Sequence, residues 1–388
     1  MALQITQSPP LLNLAQSPIA VTLYENTGVI ASSSFQYVLD LYYWAGSPSV
    51  SGSSKYTLVK YPNESNRGIF DVSRILNSTL TDLLETNTSN VKFFKVDGYY
   101  QWFNGTSYVT GSHISSSVKK YIDGYSLFQE PISQPIWEKT PFWPLMTDGP
   151  VTQSAFDFNT GNGGVYVGDY GSGSVPDRIV YSTNNGNYNY MLTSSVSSSG
   201  QIDQYPIGIQ EAGFPSALTA SIEYYTVQAY NGGTPLGQAI TYEVVCNQKY
   251  PNIRIKWKNR YGQFDNFNFN MVNRQTFNVN RQVYQPQIGT WGGNTLEYQN
   301  YSSNNLNYLV DAAESISVNS DWVSEDYNDI FKQLLVSDEI YWVYDEANGD
   351  LRPITIKTNS VTFKTGVVDK VIQYAFDFDY GQTYKLIV

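Results

Sequence analysis

Apolar positions along this chain alternate far more often than they recur at helical spacing. Phe35, Tyr37, Leu39, Leu41 and Tyr43 share one parity, and Tyr56 with Leu58 opens another run after the turn-rich SPSVSGSS. Ile253, Ile255 and Trp257 alternate with Arg254, Lys256 and Lys258. After a break at Asn259 to Gly262, Phe267, Phe269 and Met271 alternate again. Successive side chains of a strand point to opposite faces, so this spacing predicts a β-hairpin with an apolar stripe on one side and cations on the other. Tyr99 to Phe103 and Ser107 to Val109 flank Asn104-Gly105, the pair suited to a type I′ turn. Further strands are predicted at 220–230, 240–246, 340–344, 354–357 and 361–364. Near the C-terminus Ile372, Tyr374, Phe376 and Phe378 fall on one face, with Gln373, Asp377 and Asp379 on the other.

Helical spacing occurs in two places. Asp71 precedes Val72, Ile75, Leu76, Leu80, Leu83 and Leu84, which predicts a short helix capped by that acid. Ser324 begins a second, in which Tyr327, Ile330, Phe331, Leu334 and Leu335 share a face. Its first turn carries Glu325 and Asp326, where the helix dipole favours acids.

The fold class that follows is mainly β: several sandwich-like or barrel-like units with a few short helices. Composition supports it, since aromatic residues reach 15% and charged ones only 15%, against roughly 25% charged in an average domain. At 388 residues the chain exceeds the roughly 250–300 residues at which single cores stop growing. The sequence divides into a β-rich unit over 1–140, a central β-rich unit over 141–300 and an α+β unit over 301–388. The first boundary lies in EPISQPIWEKTPFWPLMTDGP, whose prolines withhold the donors a sheet needs. Residues 159–200, rich in Gly, Asn and Ser with interleaved Tyr, read as long hairpin loops or a mobile projection.

The net charge of −11 argues against a dedicated nucleic-acid binder, where a basic footprint dominates. The N-terminus shows neither a basic region nor a long apolar run, so neither a signal peptide nor a membrane span is predicted. A single cysteine, Cys246, allows no intrachain disulfide and reads as a small buried residue. The single histidine, His113, lies in TGSHISSS without adjacent acids, which places it on a surface loop and leaves no histidine-based triad or ordinary zinc site. Glycosidase chemistry needs only two carboxylates, and Asp157, Asp169, Asp177, Asp377 and Asp379 are available. Asp377 and Asp379 read more simply as a solvated strand face. EANGD at 346–350 lacks calcium-loop spacing and reads as a turn. No cofactor or metal, and no catalytic residue, is implied.

Two segments carry a family resemblance. Trp257, Asn259, Gly262 and Phe267 spell W-x-N-x-x-G-x-x-x-x-F. From Asn319 the chain reads NSDWVSEDYNDIFKQLLVSDEIYWVYDEANGDLRPITIKT and it ends QYAFDFDYGQTYKLIV. Together these resemble tailed-phage virion structural proteins of the tail, baseplate or neck. The resemblance implies a non-enzymatic subunit of the virion, made in the host cytoplasm, with copies of itself and other virion proteins as partners. A tail-tip protein binding a host surface glycan through exposed Tyr and Trp is the alternative, and a polysaccharide depolymerase a more distant one. Arg254, Lys256, Lys258 and Arg260 form a basic face that is either solvated or docks on an acidic strand of a neighbouring copy.

Overall fold

The computed structural model describes residues 3–49, 52, 54–80, 91–156, 160–170, 174–192, 200–215, 221–245, 250–289, 291–297, 299–345, 350–363, 372–381 and 384–387. It is mainly β, and among the described residues its α-helices are Ser73–Asn77 and Asn328–Val336. Cys246, Asp157, Leu83, Leu84 and residues 346–349 lie outside the described residues.

The chain forms two compact units, Met1–Cys246 with Lys258–Asn266, and Asn247–Trp257 with Phe267–Val388. Within the first, strand Gln36–Ala45 pairs antiparallel with Ser54–Lys60 on one side and Lys92–Phe103 on the other. Lys119–Ile122 and the parallel Leu12–Leu14 extend that sheet. A second sheet joins Gln4–Gln7, Ala20–Tyr24 and Arg67–Asp71. Val21, Leu23 and Phe70 of one sheet pack with Tyr37, Leu39, Leu41, Phe94 and Val96 of the other, which is the alternation of the sequence read as a buried layer. The rest of this unit holds the five-stranded sheet of Thr152–Phe156, Thr234–Val245, Tyr224–Asn231, Arg178–Thr183 and Gly186–Met191. The pair Asn162–Val167 and Gln201–Pro206 supplies Val165, Val167 and Tyr205 to the same core. Much of the Gly- and Asn-rich stretch therefore forms paired strands.

The division differs from the one read at 140 and 300. No strand pairing among the described residues joins 3–122 to 152–245, yet a further apolar cluster does: Leu12, Leu14 and Ile122 pack with Trp143, Met146, Tyr166 and Tyr261. Between Pro131 and Pro150 the chain starts on the surface and then enters the core, because Phe142, Trp143, Leu145 and Met146 are buried even where proline denies ladder bonds.

Three local expectations change. At the Asn104-Gly105 hairpin only Gly105 has a positive φ, so a type I′ turn, which needs two, does not form. Instead the Asn104 side-chain carbonyl accepts the Thr106 and Ser107 N–H groups, each at 3.0 Å. The first helix is described only over Ser73–Asn77, with the Asp71 carboxylate accepting the Ser73 N–H at 3.0 Å. Residues 361–363, expected to be extended, join no strand.

In the second unit Ile253–Lys258 pairs with Ile340–Asp345, which pairs in turn with Asp350–Ile356. Strand Asp350–Ile356 then turns from one leaf to the other: residues 350–353 pair with Ile340–Asp345, and Ile354 to Ile356 with Ala375–Tyr380. A strand shared in this way folds a continuous sheet over its own core. Leu306–Asn319 and Arg274–Tyr284 complete the second leaf. The helix Asn328–Val336 places Ile330, Phe331 and Leu334 in that core with Trp257, Phe269, Phe376 and Phe378, so both the helical face and the terminal strand face fall as the spacing predicts. Ser324 stands at the start of the 3-10 turn Glu325–Tyr327 that leads into the helix.

Candidate interaction surface

The four cations of the Ile253 hairpin are not a surface. Arg254, Lys256, Lys258 and Arg260 are between 2% and 8% exposed, and every residue of strand Ile253–Lys258 is buried. They form neither a wet strand face nor a face ready to dock a neighbour. Alternation was legible, but it does not say whether the polar face meets water or compensating groups. Here it meets compensating groups: Lys258 Nζ lies 2.6 Å from Asp123 Oδ2, and Arg254 Nε donates to Asn268 Oδ1 at 3.2 Å.

Arg260 stands in the tight turn after this strand. The Asn259 side-chain carbonyl accepts the Tyr261 and Gln263 N–H groups at 3.0 Å, and Gly262 turns the chain with φ +70°. A Cβ there would lie 2.8 Å from the Asp123 carbonyl oxygen, so the glycine is required twice over. The turn presents Arg260 to Asp148, which it holds through Nε and, at 3.1 Å, through its NH2 nitrogen. Its NH1 nitrogen donates to Glu130 Oε1 at 2.5 Å, and the Tyr261 hydroxyl donates to Asp148 Oδ1 at 2.6 Å. Burial is the largest single influence and opposes the guanidinium charge, but Asp148, Tyr261 and Glu130 together outweigh it and raise the pKa. Burial also raises the Tyr261 pKa, with Asp148 adding to it. The cluster is a lattice of paired, largely buried charges.

Asp265 differs. Its carboxylate is cut off from solvent, which pushes its pKa up to about 7 against the opposing hydrogen bonds of Thr147 and Asn259. The residue as a whole is only partly buried, but its Oδ2 is shielded and has no hydrogen-bond partner, so the desolvation is local to the carboxyl end.

His113 is on the surface, as its sequence context predicts, with its side chain 52% exposed. It does have an acid beside it, contributed by the neighbouring strand: Nδ1 lies 3.0 Å from Asp97 Oδ2, and the ring stacks on Tyr99 at 4.6 Å. Ser115 Oγ also donates to Asp97, so Ser and His share one carboxylate and do not stand in line as a nucleophile and its base. Asp377 is exposed and accepts from Ser317, and Asp379 lies 3.2 Å from Lys357 Nζ, consistent with a solvated strand face. Among the described residues no group of three or more His, Cys, Asp or Glu could hold a metal.

Two apolar surfaces remain. In the first unit a groove of about 350 Å³ runs between Pro10–Ile19 and Tyr125–Lys139, lined by Leu12, Pro18, Leu127 and Ile132, with Phe128 fully exposed at its rim. In the second unit the hairpin of Arg274–Tyr284 and Leu306–Asn319 is far more extensive. Its pairing continues from Arg274 opposite Ser317 to Tyr284 opposite Leu306, and Arg274–Tyr284 has no other strand beside it among the described residues. Phe277, Tyr284 and Tyr308 are exposed along it, and Trp291 and Tyr301 near its tip are 63% and 85% exposed. Sequence reading missed this element. Phe277, Val279 and Val283 alternate with Asn278, Asn280 and Gln282, but an eleven-residue strand with few acids or bases looks like interior sheet, and YQNYSSNNLNY at 298–308 reads as a connector.

No protein-family model matches the chain, and no curated protein matches it.

Proposed function

We propose that this chain is a structural subunit of a tailed-phage virion, assembling as an oligomeric ring or layer in the tail, baseplate or neck. The observation that carries this reading is the long hairpin whose large aromatic side chains stand in solvent. Soluble monomers rarely expose contiguous apolar surface on that scale, and such surface marks a contact with another macromolecule. Supporting it, the motif of the resemblance has physical content in this chain: Trp257 is fully buried, Asn259 and Gly262 build the turn, and Phe267 packs on Phe269, Tyr327 and Phe331. The partners are copies of itself and other virion proteins, and the location is the virion. A cryo-EM map of the particle should place several copies of this chain around the tail axis. A map that accounts for every ring and layer without it sinks the reading.

The second reading, a tail-tip protein for a host glycan, is favoured by Trp291 and Tyr301, since exposed aromatic rings near a hairpin tip suit stacking on sugars. Binding of the full chain to a glycan array, lost on Trp291→Ala, is the outcome that selects it.

A further inference from the structure

We infer that the outer edge of strand Leu12–Leu14 is a docking site for an extended, uncharged peptide segment of another protein, which adds to the sheet as a further strand. This goes beyond the virion reading and does not rest on it. Three observations within the first unit carry it.

The first is unused main chain. Leu12–Leu14 is the last strand of its sheet: it pairs in parallel with Lys119–Ile122 on one side, and among the described residues no strand pairs with the other. The Lys120 N–H donates to the Leu11 carbonyl at 2.7 Å and the Ala15 N–H to the Ile122 carbonyl at 2.9 Å, so the chain uses its odd-numbered residues on the sheet side. The peptide groups of Leu12 and Leu14 then point the other way, because direction alternates along a strand. The Leu14 carbonyl is taken by the Ser17 N–H at 3.2 Å. That leaves the Leu12 N–H, the Leu12 carbonyl and the Leu14 N–H, in residues only 1% and 5% exposed. Buried peptide groups are nearly always paired, and an edge row of this kind is completed by an extended chain.

The second is the space beside that edge. Leu12, Asn13 and Leu14 line the groove of about 350 Å³, facing Leu127, Ile132 and Ile136. A segment lying along three strand residues is about 10 Å long, and the groove volume falls at the low end of the range for specific ligands, which suits a few residues and not a folded domain. The far wall is already ordered. The Leu127 N–H donates to Glu130 Oε2 at 3.0 Å, the Glu130 N–H returns to the Leu127 carbonyl at 3.0 Å, and the Ser126 N–H donates to Ser17 Oγ at 2.6 Å. Docking therefore needs little further ordering of the groove.

The third is charge, and it selects the occupant. The charged groups lining the groove are Glu130 and Lys139, which lie 3.6 Å apart, and Glu130 also receives Arg260 at 2.5 Å. Each already faces an opposite charge, so the groove favours an uncharged ligand. The occupant must bring carbonyls to the Leu12 and Leu14 N–H groups, an N–H to the Leu12 carbonyl, and aliphatic side chains to Leu127 and Ile132. A β-forming segment in which Val or Ile alternates with Thr or Ser supplies all of these.

The test uses the full chain and a capped six-residue peptide of alternating Val and Thr as the probe. Binding is read by titration calorimetry, and its place by hydrogen exchange over residues 12–14. The peptide should bind saturably at one site and slow exchange over 12–14. Two further peptides, N-methylated at every second residue in the two possible phases, separate ladder bonding from apolar contact, because one phase blocks the edge that pairs and should abolish binding. A variant combining Leu127→Ser with Ile132→Ser, at positions 43% and 51% exposed, should melt with the parent and bind the peptide roughly 10-fold more weakly or worse. Absence of saturable binding at about 1 mM peptide overturns the inference. Equal binding of all three peptides overturns strand addition, as does uptake of a hydrophobic dye by a groove that refuses the peptide. A variant that binds like the parent, or slowed exchange elsewhere than 12–14, overturns the site. Exchange over 12–14 that slows as the chain alone is concentrated overturns a foreign segment and assigns the edge to a second copy.

Discussion

At the scale of single residues, the charged groups that matter are the ones withdrawn from water. Arg260 is shared between Asp148 and Glu130, and removing it takes from two largely buried carboxylates the cation that bridges them. Arg260→Ala should cost about 3–5 kcal/mol, read as a fall in the denaturant midpoint with m unchanged. Lys332→Ala, which breaks an exposed pair with Asp329, should cost under about 1 kcal/mol. Asp265 gives the molecule a pH dependence with a definite sign. Its folded pKa, about 7, lies above the ordinary carboxyl value, so between those two values the folded chain holds a proton that the unfolded chain has released. Its contribution is full below pH 4, is lost as the pH rises toward 7, and is flat above that. Asp265→Asn should abolish this fall and raise stability at pH 8 relative to the parent. Equal slopes in the two proteins between pH 4 and 7 would show that Asp265 is not the source.

At the scale of elements, Ile253–Lys258 shows how far a pattern can be trusted. The apolar face was legible because Ile253, Ile255 and Trp257 have no reason to alternate except burial, and all three are buried. The opposite face was not, because Asp123 lies far away in sequence and nothing near Lys258 announces it. The same limit explains Arg274–Tyr284, whose exposure is set by which sheet edge the chain leaves uncovered, a property of topology and not of spacing. Helix Asn328–Val336 and the terminal strand were read correctly for the converse reason: each packs on one side only. The burial of Trp257 predicts a split between two substitutions. Trp257→Ala should cost about 3–5 kcal/mol by opening a cavity. Trp257→Phe should cost much less, since the indole N–H has no hydrogen-bond partner and loses nothing on removal. Similar losses for the two in a urea titration would contradict this account of the core.

At the scale of the molecule, the apolar cluster that includes Leu12, Ile122, Ile136, Trp143 and Tyr166 ties the first 140 residues to the next hundred. A fragment of residues 1–140 should therefore expose Leu12, Leu14, Ile122 and Ile136, bind a hydrophobic dye and lack a sharp melting transition. A monodisperse fragment with a cooperative transition would make residue 140 an autonomous boundary after all.

The excursion of the chain between these units also sets a timetable. Lys258–Asn266 belongs to the first compact unit, although Asn247–Trp257, made just before it, belongs to the second. On the ribosome the first unit thus cannot finish when its own 246 residues have emerged; at roughly 5–20 residues per second it waits a further 1–4 s for the turn that carries Arg260. Until then Asp148 and Glu130 lack the guanidinium they share, and this corner of the nascent unit is one cation short. A translational pause placed before that turn would lengthen the vulnerable interval, and one placed after it would not.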